Sequence, residues 1–483
     1  MMKASAVTVL CGVFAVLPAS LALGQPPDQA PPLPAEAPLP AQAQPPPAAE
    51  PAPALPVPDS VNRGPRDDES TAVPAALGPS IELPPETTRP ANQDEPSVQL
   101  GVAPEDSTLS RGLGPARMAQ RHTVVGGYGQ FGLNAWRRGT RGEFDARASV
   151  RRLVLFVAHP ITDDIRIYSE FEWENALACQ SCVGSAEVEQ AFVQWRLLGD
   201  ALALRAGLVL VPMGIVNQWH EPPVFHGVER PAVDTFIIPT TWRELGVGIT
   251  GSYAELARYE LYVTTTLDPL LLGENGIAGA RTLGAVAPAK AFAVTGRAEV
   301  EPILGLIAGA SFFLSNLGPN GDYYDADGRA RDLTLPLLGY ALDARIRRAG
   351  FEARVVWSQF FMPNSDALVN AYDENGRTLF PDITKGTVPE RIQGGYIELA
   401  YNLFALAGLS HELLAFARLE SYDTQAAVPT GHAQNPELDI RELTTGLTYR
   451  PIPQLVFKTD LQLRDRRLGL DDVQWNLGFG YMF

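Results

Sequence analysis

Between Leu204 and Gly251 the chain gathers Trp219, His220, Glu221, Glu229, Arg230, Trp242 and Arg243 among Pro212, Pro222, Pro223, Pro231 and Pro239. His220-Glu221 is half of a zinc-protease helix motif. Pro222 and Pro223 would break that helix, however, and Val224 stands where the second histidine belongs. The remaining histidines, His122, His159, His226, His411 and His432, show no recurring ligand spacing. Cys179 and Cys182 lack the second pair of a structural zinc site and the strand and helix that frame a redox motif. In an oxidising compartment their spacing suits a local disulfide. We therefore expect no metal, no cofactor and no catalytic nucleophile. Guanidinium and carboxylate groups crowded into one long connection suit a different task, narrowing and charging a pore.

That connection separates two strand-patterned segments by about 30 residues, too many for a hairpin turn. Its prolines and aromatics imply an ordered loop, and inside a barrel such a loop orders itself against the lumen wall. From Arg121 to Phe483 the pattern is short alternating segments divided by Gly, Pro, Asn and Asp, with no sustained helical period and no fixed repeat. In 165–173 the apolar Ile165, Ile167, Phe171 and Trp173 alternate with Arg166, Tyr168, Glu170 and Glu172. Phe351, Ala353, Val355 and Trp357 oppose Glu352 and Arg354, and Leu342, Ala344 and Ile346 oppose Asp343, Arg345 and Arg347. Near the end, Phe457, Leu461 and Leu463 oppose Lys458, Asp460, Gln462 and Arg464. Period-two alternation assigns the first set to lipid and the second to a watery lumen.

The fold class is thus all-β, a transmembrane antiparallel barrel of about 16 strands over residues 120–483. Of the 483 residues 46% are hydrophobic, yet no stretch after the leader approaches the roughly 18 consecutive apolar residues a membrane helix needs. The net charge of −17 disfavours a nucleic-acid partner. On the lumen side we expect Arg166, Glu170, Arg205, Arg297, Arg345, Arg354, Arg418, Lys458 and Arg464. Several of these arginines share a face with acids, Arg297 with Glu299 and Arg418 with Glu420, so ion pairing competes with direct contact to a passing solute.

The two ends carry addresses. Lys3, an apolar run from Ala4 to Leu23 and the small residues Ala22 and Gly24 make residues 1–24 a secretory signal peptide. Residues 25–119, rich in Pro and Ala, form an extended periplasmic tether with no fold of its own and within reach of peptidoglycan. The final strand, Trp475 to Phe483, stops on an aromatic, which the outer-membrane barrel assembly machinery reads as its signal.

Gly127-Tyr128-Gly129-Gln130-Phe131, Ala191-Phe192-Val193-Gln194-Trp195 and the 204–251 block resemble the phosphate-selective porin O and P family. The resemblance covers most of 121–483 and leaves the Pro-rich segment outside. It implies a sixteen-stranded homotrimer with an inward-folded loop in each pore and a ladder of basic residues that conducts phosphate. This chain departs from that ladder: beyond the leader only Lys290, Lys385 and Lys458 are lysines, and its arginines are mixed with acids. The function expected is passive diffusion of small ions or polar solutes, with a structural tether to the cell wall as the rival.

Overall fold

The computed structural model describes residues 123–483 apart from 139–141, 177–183, 255, 275, 286, 288, 290, 319–322, 326, 332–333, 370, 373–375, 377–387 and 467–471. The signal peptide, the Pro-rich tether and the Cys179 and Cys182 pair fall outside the described residues.

The strands are β1 (Val124–Arg138), β2 (Phe144–Pro160), β3 (Ile165–Glu174), β4 (Ser185–Arg196), β5 (Ala203–Leu210), β6 (Arg243–Tyr253), β7 (Ala257–Thr264), β8 (Ala293–Ile303) and β9 (Leu306–Asn316). A small hairpin follows, β10 (Tyr323–Tyr324) with β11 (Ala330–Arg331), and then β12 (Pro336–Arg348), β13 (Phe351–Phe361) and β14 (Arg391–Asn402). The chain ends with β15 (Glu412–Ala427), β16 (Asp439–Ile452), β17 (Leu455–Arg466) and β18 (Asp472–Met482). All but β10 and β11 join one closed antiparallel barrel of sixteen strands, each paired with its neighbours in order and β1 paired with β18. Closure leaves no edge, so every ladder group finds a partner without water, as a span through lipid requires. The seam runs to the last residue: Gly127 N donates to Phe483 O at 3.1 Å and Phe483 N to Gly127 O at 2.9 Å.

Connections alternate in length. On one rim lie short turns such as 304–305, 349–350 and 453–454; on the other lie long ones, 211–242, 265–292, 317–335 and 362–390. The tightest pattern is visible at Ala349-Gly350, where φ is 52° and 79°, the pair of positive angles that a two-residue primed hairpin demands. Antiparallel barrels of the outer membrane show the same asymmetry of turns and loops.

The two faces divide as the alternation requires. Trp173, Trp195, Trp357, Phe457, Trp475 and Phe479 are exposed on the exterior, whereas Glu170, Glu172, Asp343, Glu352, Lys458 and Asp460 are buried inside. Around the seam the outer aromatics pack on one another, with Phe131 stacked on Phe479 at 4.5 Å and Tyr481 on Phe483 at 6.5 Å.

One part of the interior departs from the polar expectation. Phe313, Leu337, Ala341, Val356, Phe360, Ile392 and Tyr396, on the lumen side of β9, β12, β13 and β14, form an apolar cluster with Val211, Met213, Ile215, Val233, Ile237, Ile238 and Trp242. The apolar lumen patch exists because the 211–242 segment covers it, and burying those side chains together holds the segment inside the barrel.

Candidate functional site

The segment between β5 and β6 leaves the wall at Val211, crosses the interior and returns at Arg243. Its base is pinned by Asn217, whose side chain donates to Val211 O at 2.7 Å and accepts from Trp242 N at 2.7 Å, so both ends of the excursion are tied by one amide. From there it reaches strands all around the barrel. Gln130 of β1 donates to Val228 O at 3.0 Å, and Arg151 of β2 pairs with Glu229 at 2.6 Å. On the wall across from β5 and β6, Arg354 of β13 donates to Val224 O at 2.5 Å, Arg450 of β16 to Pro223 O at 2.9 Å and Lys458 of β17 to Phe225 O at 2.7 Å. Asp460 of β17 accepts from Val228 N at 2.6 Å.

Glycine on the wall allows the closest approach. A Cβ at Gly480 of β18 would fall 2.4 Å from Pro222 Cβ, and one at Gly478 would fall 2.9 Å from Val228 Cγ1. The alternation of glycines in the last strand therefore makes room for the lumen segment.

Residues singled out from the sequence take different places. Trp242 is fully buried between Phe313, at 4.5 Å between rings, and Phe360, with its Nε1 donating to Glu244 at 3.2 Å. Arg243 is the first residue of β6 and pairs with Glu187 of β4. These two are anchors at the root of the segment, away from its crossing. Trp219 packs against the apolar cluster, with Arg258 over its ring at 5.9 Å. Glu221 is partly buried and Glu229 is held by Arg151 and by Asn134 at 2.7 Å. Burial would raise the Glu229 carboxyl, but the Arg151 guanidinium and these hydrogen bonds hold it below its ordinary value.

Arg230 differs from the rest. It is buried, and none of its three guanidinium nitrogens has a hydrogen-bond partner among the described residues. Burial and the nearby Arg152 push its pKa down to about 10 against the pull of Tyr128, Glu189 and Glu172, which still leaves it charged at neutral pH.

The basic wall residues are matched with acids or loop carbonyls. Arg297 of β8 makes a two-pronged contact with Asp343 of β12, at 2.6 and 2.8 Å, and also meets Glu299 at 2.8 Å. Arg345 lies 3.6 Å from Glu299. Arg418 of β15 bridges Glu420 at 2.6 Å and Glu398 at 3.1 Å. Arg464 pairs with Glu442 at 2.6 Å, and Arg205 bonds Tyr262 at 2.8 Å while lying 4.5 Å over the Phe192 ring. Lys458 sits 3.7 Å over the Phe225 ring. Arg166 is part-buried on β3, and four residues further along that strand Glu170 accepts from Gln190 at 2.7 Å and from Tyr168 at 3.1 Å. Cations held this way stiffen the wall and have little positive field left to offer a passing anion.

Sequence reading singled out neither Asp234 nor Glu189, and it named His226 and Glu352 without pairing them. His226 Nε2 lies 3.1 Å from Glu352 of β13, and its ring stacks on Phe416 at 5.6 Å. Only the strand parity of Glu352 hinted at this, since 126 residues separate the partners. Burial raises the Asp234 carboxyl to about 7; Glu420 and Asp343 add to the rise, while Tyr396 and Arg418 oppose it. A raised carboxyl favours the folded segment most fully below its ordinary value of 3.8, and that contribution is lost as pH rises through about 7. Trypsin protection of the segment should therefore decline between those values, and Asp234→Asn should flatten the decline. An equal pH dependence in the variant would assign the effect to another group.

A closed sixteen-strand antiparallel barrel with an apolar exterior and a charged interior defines an outer-membrane β-barrel. No family model matches the chain. An uncharacterised protein of Aquifex aeolicus (strain VF5) is 29% identical over 399 residues, covering 79% of this chain and 86% of that protein. Among solved structures, Salmonella typhi OmpF is 14% identical with a TM-score of 0.48, covering 75% of this chain and 97% of that one. Pseudomonas putida OprB is 10% identical with a TM-score of 0.48, over 75% and 94% of the two chains. The outer membrane channel DcaP of Acinetobacter baumannii is 13% identical with a TM-score of 0.47, over 75% and 97%.

Proposed function

We propose that the chain is a porin through which small polar solutes and ions diffuse passively, with the 211–242 segment as its constriction. The observation that carries this reading is the crossing itself, a segment bonded to β1, β2, β13, β16 and β17 from within the barrel. A wide barrel becomes selective where such a segment narrows it and where wall charges are focused. Deleting 220–236 should raise single-channel conductance in a planar bilayer and weaken ion preference. Conductance equal to that of the parent, from a barrel that still inserts, would remove the segment from the pore.

Selectivity turns on Arg230 in this reading, because its guanidinium has no hydrogen-bond partner among the described residues. Arg230→Glu should shift the reversal potential under a salt gradient towards cations. An unmoved potential would leave Arg230 with a packing role alone. The pairing of Arg297, Arg418 and Arg464 with acids favours weak selectivity over a phosphate ladder. A phosphate preference and a homotrimer are what the sequence resemblance implies, and phosphate block of chloride current and native mass test each.

Phe483 belongs to the same proposal as the assembly signal. Phe483→Ala should reduce the heat-modifiable barrel recovered from outer membranes, since the closing seam ends on that residue. Undiminished recovery would assign the signal elsewhere. The tether reading separates cleanly: a chain lacking 25–119 should still conduct if it is a porin.

A further inference from the structure

We propose that Glu170, Glu189 and His220 form a binding site for a first-row divalent transition-metal ion that clamps the lumen segment to the barrel wall. The three side chains come from β3, β4 and the 211–242 segment, and all are buried. One ligand atom from each lies within 4.8 Å of the others. Ligand atoms about 2.0–2.2 Å from zinc stand roughly 3.5 Å apart, so side-chain rotation of about an ångström closes the set.

Orientation supports a ligand role for the imidazole. His220 Nδ1 lies 3.3 Å from Asn217 O, which directs Nε2 towards the two carboxyl groups. Metal-bound histidines are held in the same manner, with the outer nitrogen engaged by a carbonyl or carboxylate. Asn217 is itself locked to Val211 and Trp242. Glu170 is steadied by Gln190 and Tyr168.

Glu189 is the second, independent sign. It is fully buried, and neither carboxylate oxygen has an aligned hydrogen-bond partner among the described residues. His220 Nε2 comes within 3.1 Å of its Oε1 but off the direction a hydrogen bond needs. A buried carboxylate left so is costly unless a cation engages it. The local charge agrees: Glu170, Glu172, Glu189 and Glu221 face Arg152, Arg230 and His220, four acids against three bases. One imidazole with two carboxylates suits zinc, manganese or iron(II), and is too poor in oxygen for calcium and too hard for copper(I).

The site goes beyond solute passage, so a barrel that binds metal without conducting would refute the porin reading alone. The test uses the untagged full chain in detergent, stripped with a chelator and titrated with Zn²⁺ by calorimetry. One Zn²⁺ per chain is expected, with affinity lowered at least tenfold in Glu189→Gln and in His220→Gln and unchanged in Glu437→Gln. Absence of binding, or binding indifferent to the first two changes, would overturn the proposal, the second result pointing to a simple His220–Glu189 ion pair. Should those variants fail to insert, Co²⁺ bound to the parent chain decides by X-ray absorption. One imidazole among oxygen ligands supports the site, and sulfur or a second imidazole sinks it.

Discussion

Arg418→Met is expected to destabilise the barrel by about 3–5 kcal/mol, the range for removing one partner of a buried ion pair. Arg418 is fully buried and serves two acids at once, Glu420 at 2.6 Å and Glu398 at 3.1 Å, while also lying 3.4 Å from His226 O. Methionine fills much of the space but strips Glu420 of its guanidinium partner and leaves Glu398 with Arg354 at 3.7 Å. Val233 N donates to Glu420 at 3.1 Å, so the lumen segment should loosen with the wall. The measurement is the urea midpoint of the heat-modifiable form, together with trypsin protection of 211–242. Adding Glu420→Gln to Arg418→Met should restore part of the loss, because one uncompensated charge disappears. A midpoint equal to the parent's would mean that water solvates these groups in the lumen.

Trp357→Arg carries the next largest effect, about 2–4 kcal/mol if the residue meets lipid near the bilayer centre. Trp357 lies midway along β13 on the exterior, opposite Leu342 and Gly395, and its ring covers Gly395 closely enough that a Cβ there would fall 2.6 Å from Trp357 Cε3. Arginine would expose a charge to hydrocarbon and uncover that glycine. Arg354→Ala, three residues earlier on the inner face, should cost less. Its acids keep other cations, Glu398 retaining Arg418 and Glu352 retaining Arg347 and Arg450. Folding yield into liposomes ranks the two variants. If Arg354→Ala proves the more harmful, the lumen contact to Val224 O outweighs the lipid-face charge.

Both expectations begin from alternation that is plain in the sequence. Trp357 and Arg354 are assigned to opposite faces by counting residues, because successive side chains on a strand point to opposite sides and lipid tolerates only one kind. The same count runs through Lys458, Asp460 and Gln462, all buried inside as their parity requires. It is silent about Trp242. An aromatic in a charged loop reads as a lining residue, and only its packing between Phe313 and Phe360 shows an anchor.

What the sequence by itself determined is therefore the class: a membrane-spanning barrel of about sixteen strands, its two faces, and one connection too long and too ordered for a turn. These follow from local periodicity and from the absence of any apolar helix-length run after the leader. Which charges meet was decided by the tertiary structure. Arg297 finds Asp343 46 residues away, Lys458 finds Phe225 O across 233, and His220 meets Glu189 and Glu170 from a segment that neither strand neighbours. Such pairings depend on strand register and on the path of the lumen segment across a closed barrel. Side chains that share no helix or strand carry no spacing by which a sequence could announce them.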